Sequence, residues 1–86
     1  MISEYLKKFR KAHNLSQKEM ALMIGTSPYY YNRIENGITD PGIKMRRKIA
    51  MALRIDDETI VKIADAKGEE ELNALYKQIE STRSNN

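Results

Sequence analysis

The segment from Leu15 to Gly37, LSQKEMALMIGTSPYYYNRIENG, is cut into short pieces by its own start and stop signals. Ser16 and Glu19 stand at the reciprocal capping-box spacing, in which a hydroxyl and a carboxylate each satisfy a backbone N–H at a helix start. Gly25 ends that helix, because glycine enters the left-handed backbone region without steric cost. Ser27-Pro28 starts a new helix almost at once, with a capping hydroxyl and a proline at the first helical position. Asn36-Gly37 stops it in turn. Two helices this short are not stable alone, and a tight glycine-containing turn between them sets their crossing at about 90–120°.

That crossing makes demands which the residues meet. The first helix turns Met20, Ala21 and Ile24 inward, and Ala21 is the small side chain needed at closest approach. The second needs two apolar anchors one turn apart, and Tyr31 and Ile34 fit. Successive helical residues rotate by about 100°, so the run Tyr29-Tyr30-Tyr31 cannot share one side. Tyr31 points with Ile34 toward the core and Tyr30 lies on the flank. Tyr29, Asn32, Arg33 and Asn36 are left on roughly the opposite face. A tyrosine, two amides and an arginine on one exposed helical face are hydrogen-bonding groups in search of a partner.

The rest of the chain is also helical in pattern, and the fold class is all-α. Ile2, Leu6 and Phe9 form one apolar stripe on a helix over residues 2–12. Asp40-Pro41 repeats the cap-and-proline signal and opens a fourth helix running to about Leu53, with Met45, Ile49 and Leu53 inward. Asp56, with Thr59 after it, opens a fifth that carries Ile60 and Ile63. Gly68 precedes a last helix, EEELNALYKQIESTR, whose acidic start and Arg83 near its end suit the helix dipole. Its apolar stripe of Leu72, Leu75, Tyr76 and Ile79 must be buried, either on its own domain or against the same helix of a second copy. Residues 84–86 are expected to fray.

Charge divides the chain. Met1–Arg54 holds eleven lysines and arginines against four acidic residues, and Ile55–Asn86 holds four against eight. A basic first part implies a polyanionic partner. Catalysis finds no constellation: there is no cysteine, His13 is the only histidine, and no phosphate-binding loop is present. No enzyme, metal or cofactor is expected. His13 falls at the end of the first helix, where it caps carbonyls or is solvated. The methionines, Met20, Met23, Met45 and Met51, are read as core and surface filler. No stretch approaches membrane-spanning length, and a cytoplasmic protein is expected.

The glycine at position 25, glutamine at 17 and the RIENG ending together resemble the helix-turn-helix of the phage-repressor and Cro-like family, also called the xenobiotic-response-element (XRE) family, of bacterial and phage regulators. The similarity covers about residues 5–60. It implies a five-helix DNA-binding domain, here residues 1–65 with the helix-turn-helix at about 16–36, followed by an additional C-terminal helix at 66–83. By position, the resemblance makes Ser27, Pro28, Tyr29, Asn32 and Arg33 base-reading residues. Gln17 and Asn36 become contacts to the DNA backbone, and Tyr30 is added to these. Arg10 and Glu35 match a pair that ties the first helix to the end of the recognition helix. Two departures stand out. Pro28 replaces a polar residue that commonly reads a base, which shifts readout to Tyr29 and Arg33. Arg46 and Arg47 stand where leucines are usual, so Lys44, Arg46 and Arg47 either grip flanking phosphates or, for Arg46, lay an aliphatic stem over the core edge.

The resemblance implies a transcription regulator, a repressor binding an inverted-repeat operator on double-stranded DNA as a homodimer, with Leu72, Leu75, Tyr76 and Ile79 as dimerisation candidates. The competing expectation is an antitoxin or antirepressor-type module whose C-terminal helix binds a partner protein.

Overall fold

Helices follow one another along the whole of the computed structural model, which describes residues 1–84: α1 (Ile2–Ala12), α2 (Gln17–Ile24), α3 (Pro28–Glu35), α4 (Ile43–Leu53), α5 (Asp57–Asp65) and α6 (Glu69–Ser84). There is no strand among the described residues. Ser84 closes α6, and the remainder of the expected frayed tail lies outside the described residues.

The capping signals act where they were read. Ser16 Oγ accepts from the Glu19 N–H at 3.0 Å and Glu19 Oε1 accepts from the Ser16 N–H at 2.8 Å. Gly25 sits at φ 92°, and the N–H groups of Gly25 and Thr26 both reach the Ala21 carbonyl. Ser27 Oγ accepts from the Tyr30 N–H, with Pro28 opening α3. Asp56 caps α5 through the Thr59 N–H at 2.7 Å. At the end of α1, His13 Nδ1 bonds the Phe9 carbonyl and the imidazole stacks on the Phe9 ring at 4.0 Å.

One expected start is displaced. α4 begins at Ile43 with Gly42 as an N-cap that makes no side-chain cap bond, not at Asp40-Pro41. The N–H groups of Ile38 and Thr39 both turn back to the Arg33 carbonyl, so the chain is still folding over the end of α3 at this point. Pro41 is buried there and Asp40 is exposed, which leaves the carboxylate no helix end to cap.

Ile2, Tyr5, Leu6 and Phe9 of α1 form one core with Met20, Ala21 and Ile24 of α2, Tyr31 and Ile34 of α3, Ile49, Ala50 and Leu53 of α4, and Ile60 and Ile63 of α5. Met45 packs at its edge. The α-amino group of Met1 donates to the carbonyls of Ile63 and Ala64, tying the start of α1 to the end of α5.

α6 folds back on this core. Leu72 is 2% exposed and belongs to the core, and Leu75, Tyr76 and Ile79 are half-buried against it. The Tyr76 ring lies 5.6 Å from that of Tyr5. Arg83 passes over the Phe9 ring at 5.7 Å and donates to the Leu53 carbonyl. Of the two destinations for the stripe, the structure uses the protein's own domain. Of the four dimerisation candidates, Leu72 is thereby taken up by the core, while Leu75, Tyr76 and Ile79 keep part of their surface exposed.

Candidate nucleic-acid interface

The orientation of α3 is set from beneath by one buried carboxylate. Glu35, at the end of α3, is 2% exposed. Its Oε1 accepts from Arg10 Nε at 2.7 Å and from the Tyr31 hydroxyl at 2.8 Å. Its Oε2 accepts from Gln17 Nε2 at 2.8 Å and from Arg10 Nη2 at 3.2 Å. Four donors fill the lone-pair sites of the carboxylate. They come from α1, α2 and α3, so this one group joins the three helices. Burial pushes the Glu35 carboxyl upward, but the bonds from Arg10, Gln17 and Tyr31 and the guanidinium charge outweigh it, and it lies below its ordinary value. The Arg10 guanidinium is shifted up by the Glu35 bond, and burial together with Glu35 raises the Tyr31 phenol.

Gln17 carries the network outward. Its Oε1 accepts from Asn32 Nδ2 at 2.9 Å while its Nε2 donates to Glu35. The residue expected at a phosphate is thus first a bridge between the buried carboxylate and the exposed face of α3. An amide nitrogen carries two hydrogens, so one N–H of Gln17 remains at the N-terminus of α2. The sequence assigned Gln17 and Asn32 separate duties. Their mutual bond depends on how α2 crosses α3, which no local spacing encodes.

The outer face of α3 carries the side chains placed there by helical rotation. Tyr29 is 72% exposed, Tyr31 is fully buried, and Tyr30 is half-buried against the core. Ser27, Pro28 and Asn36 are exposed, and Asn32 and Arg33 are half-buried. The Arg33 guanidinium lies 5.9 Å from the Tyr29 ring centroid, one turn away. Its Nε donates to Thr39 Oγ1 at 3.0 Å. Thr39 carried no expectation from sequence, since it follows the stop signal of α3.

Further basic residues lie on α4. Lys44 and Arg47 are exposed on α4. Arg46 is half-buried and lines a crevice with Met1, Ile34, Thr39, Asp40 and Pro41, so part of its stem lies over the core edge. Lys48, also unforeseen, donates to the Gly25 carbonyl at 3.4 Å and links α4 to the turn between α2 and α3. Ile38 and Ile43 are exposed beside the loop from α3 to α4. Among the described residues there is no group of three or more histidine, cysteine or acidic side chains that could hold a metal ion, and no helix is long and apolar enough to cross a membrane. What the arrangement offers is a short helix with hydrogen-bonding side chains on its outer face, in a domain whose α4 carries exposed cations.

Comparison with known proteins gives the same span. A family model described as helix-turn-helix matches residues 6–60, from within α1 to within α5. A protein of Methanocaldococcus jannaschii named as an uncharacterized HTH-type transcriptional regulator is 39% identical over 54 residues, covering 60% of this chain and 82% of that protein. No solved structure matches. α6 lies beyond the matched residues.

Proposed function

The chain belongs to the helix-turn-helix family of DNA-binding transcription regulators, and from that premise we propose that it is a sequence-specific repressor, laying α3 in the DNA major groove and binding an inverted-repeat operator as a homodimer. The observation that carries this reading is the division of α3 into two faces. Tyr31, Ile34 and Glu35 are locked into the domain, while Tyr29, Asn32 and Arg33 face outward on a helix whose rotation the buried carboxylate fixes.

Each outward group has a fitting partner in the major groove. An arginine bridges guanine O6 and N7, a contact worth about 1–3 kcal/mol against the wrong base. Asn32 gives one N–H to Gln17 and keeps its other N–H and its carbonyl oxygen, the pair that matches adenine N7 and N6. Tyr29 packs on a thymine methyl or bonds a phosphate, and Ser27 and Pro28 bring the front of the helix against the groove. The remaining N–H of Gln17, with Tyr30, Asn36, Lys44, Arg46 and Arg47, sets register on phosphates.

Readout by one short helix is limited to a few contacts. Specific sites are typically favoured over bulk DNA by about 4–10 kcal/mol, which two or three such contacts do not reach reliably. Two copies on a palindrome double the contacts, with half-sites about 34 Å apart along the duplex. Repression then follows from occupying promoter DNA and needs no cofactor. The packing of the α6 stripe on its own domain weighs alike against the competing reading, a module that docks a partner protein through α6, and against a homodimer joined through that stripe.

Selection from a randomised duplex pool at near-physiological salt tests the proposal. Enrichment of an inverted repeat supports it, and sedimentation of the complex counts the copies bound. Weak binding that falls steeply with salt and enriches no sequence overturns it.

A further inference from the structure

We propose that Thr39, which lies outside the recognition helix, is a specificity-determining positioning residue that acts through Arg33 without touching a base. The inference rests on the reading of α3 as the groove-binding helix.

The geometry begins with Gly37. At φ 72° it turns the chain back so that the N–H groups of Ile38, at 2.9 Å, and Thr39, at 3.3 Å, meet the carbonyl of Arg33. Thr39 is thereby anchored to the main chain of the same residue whose side chain it holds, Arg33 Nε donating to its Oγ1 at 3.0 Å. Main chain and side chain close a ring between two residues, and the half-buried threonine has little freedom to leave it. On the other side, the Tyr29 ring lies 5.9 Å from the guanidinium carbon, a distance at which the aromatic quadrupole attracts a cation.

The consequence follows from the donor layout of arginine. A guanidinium has one N–H on Nε and two on each Nη in a rigid planar fork. It can bridge two acceptors side-on, with Nε and one Nη, or end-on, with the two Nη groups. The bond to Thr39 occupies Nε, so the side-on mode is closed and the end-on pair is presented. A long side chain that would otherwise sample many rotamers is fixed before DNA arrives, which removes an ordering cost from binding. Thr39 thus selects both the geometry of the Arg33 contact and the groove position it reaches.

The test uses the full chain and duplexes enriched by wild-type protein. The base pair read by Arg33 is the one whose preference disappears in Arg33→Ala. For wild type, Thr39→Val and Thr39→Ser, the affinity ratio between the enriched duplex and one altered at that pair is measured, with the same ratio at a second pair as reference. Thr39→Val keeps the side-chain shape and deletes the hydroxyl, and should reduce the first ratio about tenfold while sparing the second. Thr39→Ser keeps the hydroxyl and should preserve both. In the Arg33→Ala background, Thr39→Val should change neither ratio further. An unchanged first ratio in Thr39→Val, or equal loss on every duplex, overturns the role of Thr39 and leaves the proposed function standing. Should wild-type protein enrich no duplex at all, both fall.

Discussion

Replacing Arg10 by methionine separates the buried pair while retaining an unbranched stem that can fill most of the vacated volume. Glu35 would keep its bonds from Gln17 and Tyr31 and lose those from Arg10 Nε and Nη2 together with the compensating charge. Removing one partner of a buried ion pair typically costs about 3–5 kcal/mol, because the other charge stays desolvated. Arg10 Nη1 also donates to the Leu15 carbonyl at 3.0 Å, and losing that bond adds about 1 kcal/mol. Against a total stability of about 5–15 kcal/mol for a small domain, Arg10→Met should remove a large share of the stability near neutral pH.

The pH dependence gives this prediction its sharper edge. In the wild type the Glu35 carboxyl is held below its ordinary value. Its contribution is therefore present above the unfolded value, about 4.5, and is lost as pH falls through the lower folded value. Without Arg10, the largest of the influences that lower this carboxyl is lost while burial, the strongest single influence, remains, so the folded value rises toward the unfolded one. The variant then lacks most of the stabilisation that wild type gains as pH rises, so its shortfall is largest near neutral pH and narrows in acid. Urea unfolding followed by far-UV circular dichroism at about pH 7 and pH 4.5 measures this, and the gap to wild type should close by more than about 1 kcal/mol at the lower pH. A cost under about 1 kcal/mol at neutral pH, or parallel profiles for the two proteins, would refute the account of Glu35 as a buried, charge-compensated hub.

Lys44 is exposed on α4, so Lys44→Ala should weaken binding to all duplexes alike and reduce the salt slope by about 1, read by fluorescence anisotropy across a salt series. Leu72→Ala should cost about 2–5 kcal/mol within a single cooperative thermal transition, because that side chain is in the core; a loss below about 1 kcal/mol would show that α6 lifts away freely.

What the sequence made legible was mostly local. Ser16, Ser27 and Asp56 each start a helix at the residue expected, since capping depends on a few neighbouring atoms. The sorting of the three tyrosines followed from helical rotation alone. The Asp40-Pro41 signal misled because tertiary burial of Pro41 took precedence over its capacity to open a helix. The α6 stripe showed that the helix must be covered, but amphipathicity carries no information about what covers it. In the candidate site, the resemblance pointed to Gln17, Asn32 and Arg33, yet the bonds that aim them were invisible. Gln17 to Asn32 spans two crossing helices, and Arg33 to Thr39 depends on a left-handed glycine folding the loop back. Such bonds arise only once the chain is in three dimensions.

Those two sets of bonds also hold the outward side chains of α3 separately. Asn32 is held through Gln17 by Glu35, and so ultimately by Arg10 on α1. Arg33 is held by the loop that follows α3, through Thr39, and by the Tyr29 ring. Among the described residues, no side-chain hydrogen bond joins one set to the other. Effects on neighbouring residues usually couple, whereas sites without shared partners add within about 0.3–0.5 kcal/mol. Gln17→Met and Thr39→Val should accordingly combine additively in duplex discrimination, the first acting at the base pair proposed for Asn32 and the second at that proposed for Arg33. Competition binding of the two single variants and the double variant, each against duplexes altered at one pair, completes the cycle. A coupling above about 1 kcal/mol would mean that α3 shifts as a rigid unit when either support is cut, and that the carboxylate hub and the threonine loop are parts of one device.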